Sequence, residues 1–259
     1  MSNLLLQNNI RKRFAGRNKK ESEYNYKLYV LSNRFKDGKE KKYYNTLLKA
    51  SLNCNKIKNL PNIYDNEDSL VKFDIEKPEK DLANMYIEKD DIVLELGARF
   101  GSVSCIVNQK LENKKNHVVV EPDDRVWEKL EYNKLLNKCE FNIVNGFISN
   151  KNLSLINTDD RDGYGSTFEE NNDSVIPKFS LEEIKSKFSI DNFTVLIADC
   201  EGFLETFIDE NPNICNNLRL VIFEEDYPDK CNYEKVRNAF KNNGMKEELV
   251  GHQNVWIKF

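Results

Sequence analysis

The chain has 259 residues, 39% of them hydrophobic and 32% charged, with a formal net charge of −4. That is enough apolar material for one large domain, or for one domain with an extension. No window approaches 18 uncharged apolar residues, which excludes a membrane-spanning helix, and six cysteines without a C-x-x-C pair beside only two histidines exclude a cysteine–histidine zinc site.

The first residues, MSNLLLQNNIRKRF, place their charges behind a short apolar run, the reverse of a secretory signal. Scattered cysteines suit free thiols in a reducing compartment, so a cytoplasmic protein is expected. Residues 1–60 hold 15 Lys/Arg against 4 Asp/Glu, so a basic N-terminal segment precedes an acidic body. Residues 1–20 read as a loose arm. Residues 21–35 and 39–58 place aromatic and aliphatic side chains at helical spacing, with Asp37-Gly38 as the break between two helices. Residues 59–78, with Pro61 and Pro78, read as a connector.

A regular alternation begins at residue 79. A short helix over 79–87 leads to an apolar strand at 91–96 and a helix at 102–111. A β-branched strand follows at 117–122, then a helix at 124–137 and a strand at 140–147. Residues 148–179 show no clear period. A helix at 181–188 precedes a strand at 193–199, a helix at 202–209, a strand at 218–225 and a helix at 233–243. MKEELV and NVWIKF close the chain as two short strands. Strands alternating with helices predict an α/β fold, a mostly parallel sheet covered on both faces. The closing strand–turn–strand is too tightly joined to be parallel, so one strand near the sheet edge runs antiparallel. The domain reading is a basic arm and helical extension over 1–78 and an α/β domain over 79–259.

The first strand of the alternation runs into LELGARFGSVS, an acid-x-Gly-x-x-x-Gly pattern of Glu95, Gly97 and Gly101. Gly97 permits a sharp turn and close backbone approach to a ligand. Gly101 opens a helix whose free N–H groups favour an anionic group. The second strand ends in Glu121-Pro122, where an acid can accept the two hydroxyls of a ribose. Gly97-Ala98-Arg99-Phe100-Gly101 lacks the middle glycine of a dinucleotide loop. A ligand with a ribose and an amino-acid tail but no phosphate fits it better. S-adenosylmethionine is such a ligand, and the pattern resembles the first motif of Rossmann-like methyltransferases.

Further along, VVVEPDDRVWEKLEYNKLLN, the GYGST stretch, VLIADCEGFLETFI and LRLVIFEED join the glycine loop in an order that resembles the FkbM-type methyltransferases, across roughly residues 88–226. The resemblance implies a Rossmann-like methyltransferase fold, a seven-stranded sheet with its last strand antiparallel. It implies O-methylation of a sugar, glycan or related small-molecule hydroxyl. It also implies that Glu95, Gly97, Ala98, Gly101, Glu121 and Pro122 belong to the cofactor site. Two departures stand out. The family's usual Gly-Ala-Asn is Gly97-Ala98-Arg99 here, and its Asp-Val-Glu-Gly is Asp199-Cys200-Glu201-Gly202.

Asp199, at the end of the fourth strand, is the candidate base or acceptor-orienting group; its competing role is a helix cap. Glu201 is the second catalytic candidate, or a charge favourable at the start of the next helix. Glu224, Glu225 and Asp226 end the neighbouring strand, where they form an acidic substrate rim or, with Asp199, hold Mg²⁺. Cys200, with no histidine following nearby, reads as a packing residue. Tyr164 and Ser166 lie in the irregular segment, which either covers the site or does not. Two further functions compete: an RNA methyltransferase whose basic segment tracks phosphates, and a scaffold that keeps the fold without turnover.

Overall fold

In the computed structural model the described residues are 16, 18–36, 38–54, 57, 59–72, 74–156 and 165–259. Most of the N-terminal arm, Asp37 of the interhelical break and Asp162, Gly163 and Tyr164 lie outside them. Helices α1 (Lys19–Arg34), α2 (Lys39–Cys54) and α3 (Lys77–Tyr86) come first. The alternation follows: β1 (Val93–Leu96), α4 (Ser102–Lys110), β2 (His117–Glu121), α5 (Trp127–Leu136) and β3 (Asn142–Asn145). Four short strands come next, β4 (Phe147–Ile148), β5 (Leu153–Ile156), β6 (Thr167–Glu170) and β7 (Lys178–Phe179). The chain ends with α6 (Leu181–Phe188), β8 (Val195–Ala198), α7 (Leu204–Glu210), β9 (Leu220–Glu224), α8 (Tyr233–Asn242), β10 (Lys246–Leu249) and β11 (Gln253–Ile257).

Seven strands form one sheet in the order β3-β2-β1-β8-β9-β11-β10. β11 runs antiparallel to both of its neighbours, while β1, β2, β3, β8 and β9 are parallel. This is a Rossmann-like, doubly wound α/β sheet with one reversed strand. The chain leaves β1 in one direction to β2 and β3 and returns on the other side to β8 and β9. The carboxyl ends of β1 and β8 therefore flank the crevice where open α/β sheets take ligands.

Alternation along the strands sorts the core into two faces. Leu94, Leu96, Leu196, Ala198, Val221 and Phe223 join one apolar cluster with residues of α6, α7 and α8. Val93, Val195, Ile197, Leu220 and Ile222 join the other, which includes Leu28 of α1, Leu47, Leu48 and Ala50 of α2, and Leu82 and Ala83 of α3. The N-terminal helices thus share a core with the sheet. Each fully buried aliphatic side chain in it contributes about 1.5–3 kcal/mol. Polar ties fix the helices as well: Ser51 Oγ donates to Asn25 Oδ1 at 2.7 Å, and buried Lys77 bonds Asp81 at 2.8 Å with Glu21 at 4.0 Å.

The segment 148–179, without a readable period, contains the antiparallel pair β5–β6, with Leu155 opposite Phe168, and the parallel pair β4–β7. α6 is fixed at its start by a capping box: Glu183 N donates to Ser180 Oγ, and Ser180 N donates to Glu183 Oε2 at 2.7 Å. The connector ends two residues earlier than expected, because α3 starts at Lys77 with Pro78 in its first turn, where a missing N–H costs nothing.

Candidate active site

A cleft of about 800 Å³, open solvent included, lies over the carboxyl ends of β1, β2 and β8. The turn after β1 forms one side. Gly97 has φ +84°, and its N–H and that of Ala98 donate to Val120 O. A Cβ on Gly97 would stand 1.7 Å from the carbonyl oxygen of Asp199, so only glycine lets the loops after β1 and β8 approach this closely. Arg99 is also left-handed, at φ +48°, which turns its N–H toward Glu121 Oε2 at 2.6 Å.

Glu121 Oε1 accepts from Asp123 N at 2.8 Å. These two backbone donors orient the carboxylate and leave part of its acceptor capacity unspent. Burial raises its pKa to about 7, against the opposing effect of the two N–H bonds. Trp127 donates Nε1–H to Glu121 O at 2.8 Å and so braces the same strand end. The opposite wall is apolar. Phe203 packs against Phe147, with ring centroids 5.5 Å apart, and edge-on against Phe168 of β6 at 5.1 Å; Leu155, Ile148 and Val126 extend this wall.

The turn after β8 supplies the carboxylates. Asp199 and Glu201 both line the cleft. Glu201 has φ +52° and Gly202 φ +87°, so the chain doubles back before α7. α7 is capped at Phe203 without any side-chain cap bond, so neither acid serves as its helix cap. Among the described residues no donor reaches the Asp199 carboxylate. Burial, then Glu224, Glu76, Glu201 and Asp226, push its pKa well above the usual carboxylate range. Burial and Asp226 push Glu201 up to about 8, opposed by a 3.2 Å bond from Gly165 N to its Oε1. Asp226 Oδ1 accepts from Tyr227 N at 2.7 Å and Tyr233 Oη at 2.8 Å. Its Oδ2 is buried without a hydrogen-bond partner among the described residues.

Of the six residues assigned to the cofactor, Gly97, Glu121 and Pro122 line the cleft. Glu95, Ala98 and Gly101 do not. Glu95 points the other way along β1 from Leu94 and Leu96, and its buried carboxylate accepts from Ser104 Oγ at 2.7 Å and pairs with His117 Nε2 at 2.9 Å. Ala98 packs in the cluster of Phe100, Cys105 and Leu130. Gly101 serves the backbone, at φ +82° before α4, where a Cβ would stand 2.8 Å from Leu130 Cδ1. Cys200 lines the cleft, and burial raises its thiol pKa far above neutrality, which leaves it unreactive. No disulfide joins any of the six cysteines.

Ser166, from the segment without a period, lines the cleft, and Arg125 NH2 donates to its Oγ at 3.2 Å. Sequence reading missed Glu76, Glu79 and the three-phenylalanine wall. Glu79 sits among other charged residues in EKPEKDLANMY, yet it is 2% exposed. Strand alternation in TFEE was the one available signal for Phe168. Glu225 is drawn from the site into an ion pair with Arg237.

No family model and no curated protein matches the sequence. Solved structures similar to this chain include a ribosomal protein L11 methylase from Lactobacillus delbrueckii subsp. bulgaricus, with TM-score 0.41, 14% identity, and coverage of 70% of this chain and 78% of that one. A precorrin-6y C5,15-methyltransferase from Geobacter metallireducens GS-15 is similar at TM-score 0.46 and 11% identity, covering 76% and 95%. An rRNA methylase from Streptococcus thermophilus is similar at TM-score 0.44 and 8% identity, covering 74% and 99%. Among the described residues no helix is long and apolar enough to cross a membrane.

Proposed function

We propose that this chain is an S-adenosylmethionine-dependent O-methyltransferase acting on a hydroxyl of a sugar, glycan or related small molecule. The observation that carries the reading is the contact of Gly97 with the Asp199 carbonyl, which sets the ribose-accepting Glu121 and the carboxylates of the β8 turn around one cleft. The cleft fits the cofactor in three respects. Glu121 is buried, preoriented and has acceptor capacity to spare. The Phe147–Phe203–Phe168 wall offers a purine an apolar surface. The glycine loop brings backbone close to the ligand. When bound, the cofactor supplies an electrophilic methyl group on a sulfonium.

The chain's own contribution is alignment and proton handling. Asp199, half-buried and without a donor of its own among the described residues, is placed to orient the acceptor hydroxyl, and it takes the proton at a carboxylate oxygen only in its ionised form, which its surroundings disfavour at neutral pH. Glu201, at about 8, carries its proton at neutral pH and can donate a hydrogen bond to Asp226 or to an oxygen of the acceptor. Arg99 is the one basic side chain among the described residues lining the cleft, so the cleft offers little positive charge to a polyanion such as RNA, and a neutral polyhydroxyl acceptor suits it better.

Calorimetry with S-adenosylhomocysteine tests the cofactor half, and no heat of binding to the folded chain at high micromolar ligand would sink it. The same titration carries a pH signature. Ionised Glu121 accepts ribose hydroxyls, and its protonated form gives up acceptor capacity. With a pKa of about 7, affinity is therefore full above pH 8 and falls as pH drops. The expected weakening from pH 8 to pH 6 is up to about tenfold; in Glu121→Gln it should vanish along with most of the affinity. A flat pH profile in the unaltered chain would remove Glu121 from the ribose.

A further inference from the structure

Three acids reach one point from three elements: Glu79 from the first turn of α3, Asp199 from the turn after β8 and Glu224 from the end of β9. One carboxylate oxygen of each lies within 4.8 Å of the others. Proximity of acids is common, and Glu79 is what sets this group apart. It is 2% exposed, and its Oε2 is buried without a hydrogen-bond partner among the described residues. No basic side chain among those residues forms an ion pair with Glu79 or Asp199. Lys77, on the same helix turn, is engaged by Asp81 and Glu21. An ionised carboxylate buried in this way costs several kcal/mol unless a positive charge meets it.

We propose that Glu79, Asp199 and Glu224 form a binding site for one divalent cation of the Mg²⁺ and Mn²⁺ class. All three donors are carboxylate oxygens, the ligand set of hard cations, with no sulfur or imidazole to favour zinc. Glu224 is held for the task by neighbours on β11 and before it: His252 Nε2 lies 2.6 Å from its Oε1, and Gln253 Nε2 donates to its Oε2. Such outer contacts orient a ligating carboxylate without exhausting its lone pairs. Access exists, because the Glu224 side chain is 20% exposed and Asp199 lines the main cleft. The overlapping group of Asp199, Glu201 and Asp226 is the weaker candidate, because none of its three residues is buried as Glu79 is. Positions left open on the cation would face the acceptor and take its oxygens, neighbouring hydroxyls of a sugar being the natural pair. That use, unlike the binding itself, rests on the methyl-transfer reading.

The test is a Mn²⁺ titration of the full chain followed by electron paramagnetic resonance, without cofactor or acceptor, with Mg²⁺ as competitor. One Mn²⁺ per chain should bind with submillimolar affinity and be displaced by Mg²⁺. Glu79→Gln and Glu224→Gln should each weaken binding by about tenfold or more. Glu225→Gln, whose side chain pairs with Arg237, should change it by less than about twofold. Without metal, Glu79→Gln should melt no lower than the unaltered chain, since it keeps the shape of a side chain whose burial disfavours its charged form; if it does not fold, Glu224→Gln decides. No saturable binding by the unaltered chain at about 5 mM Mn²⁺, beyond the weakest of the usual protein sites, or unchanged binding in the Gln variants that fold, would overturn the proposal. Because S-adenosylhomocysteine binding is read separately, failure of the cation site and failure of the methyltransferase reading give different results.

Discussion

Gly97→Ala is expected to destabilise the chain by about 2–5 kcal/mol, combining left-handed backbone strain with a clash that no side-chain rotation relieves. The added Cβ would stand 1.7 Å from Asp199 O and 2.7 Å from its carbonyl carbon, so either the β1 turn or the β8 turn must move. Gly244 is the internal control. Its φ is similar, +80°, but a Cβ there meets only Lys258 Cε, at 3.8 Å. Gly244→Ala should cost about 1–2 kcal/mol, the backbone part alone. Urea unfolding of the two variants beside the unaltered chain measures both. Equal losses would mean that the Gly97–Asp199 approach is looser than described. Where Gly97→Ala still folds, S-adenosylhomocysteine affinity should fall with it, because the displaced turn is the one that bonds Glu121.

Asp199→Asn should lower turnover by about 10²–10⁴-fold, the usual contribution of a positioned base. Stability should hold, because the substitution keeps the shape at a position where burial and the nearby Glu79, Glu76, Glu201 and Glu224 already disfavour an ionised carboxylate. The assay is transfer of label from methyl-labelled cofactor to a panel of activated sugars and glycans, with thermal unfolding alongside. If an acceptor found with the unaltered chain is methylated equally fast by the variant, Asp199 has no role in the chemistry. If activity and melting temperature fall together, its role is structural.

The strand–helix alternation was legible because it rests on local periodicity. The reversed β11 was legible because a short connection cannot serve a parallel pair. The turn after β8 stood out because two acids interrupt an apolar run. Other features depend on distant partners and leave no local trace. Glu95 reads as part of the glycine motif, but alternation along VLEL puts it on the face away from Leu96 and the cleft, beside His117 and Ser104. Glu79 resembles its charged neighbours in sequence, and only the packing of α3 against the sheet buries it. The β5–β6 pair was hidden because each strand is four residues long and the chain between them is polar. A pairing of that length declares itself only when Leu155 and Phe168 meet and Phe168 reaches Phe203.

The packing of α1 and α2 limits how this protein can be dissected. Their leucines cover the same sheet face that carries Val195, Ile197 and Ile222, and Tyr43 of α2 lies against Gly251 and accepts a hydrogen bond from Gln253 N. Deleting the first 60 residues to ask what their positive charge does would strip that cover, and the shortened chain would report on aggregation instead. The charge has to be edited in place. Lys19, Lys20 and Lys27 are exposed on α1, so neutralising them changes the electrostatics of the segment and leaves the scaffold beneath it whole.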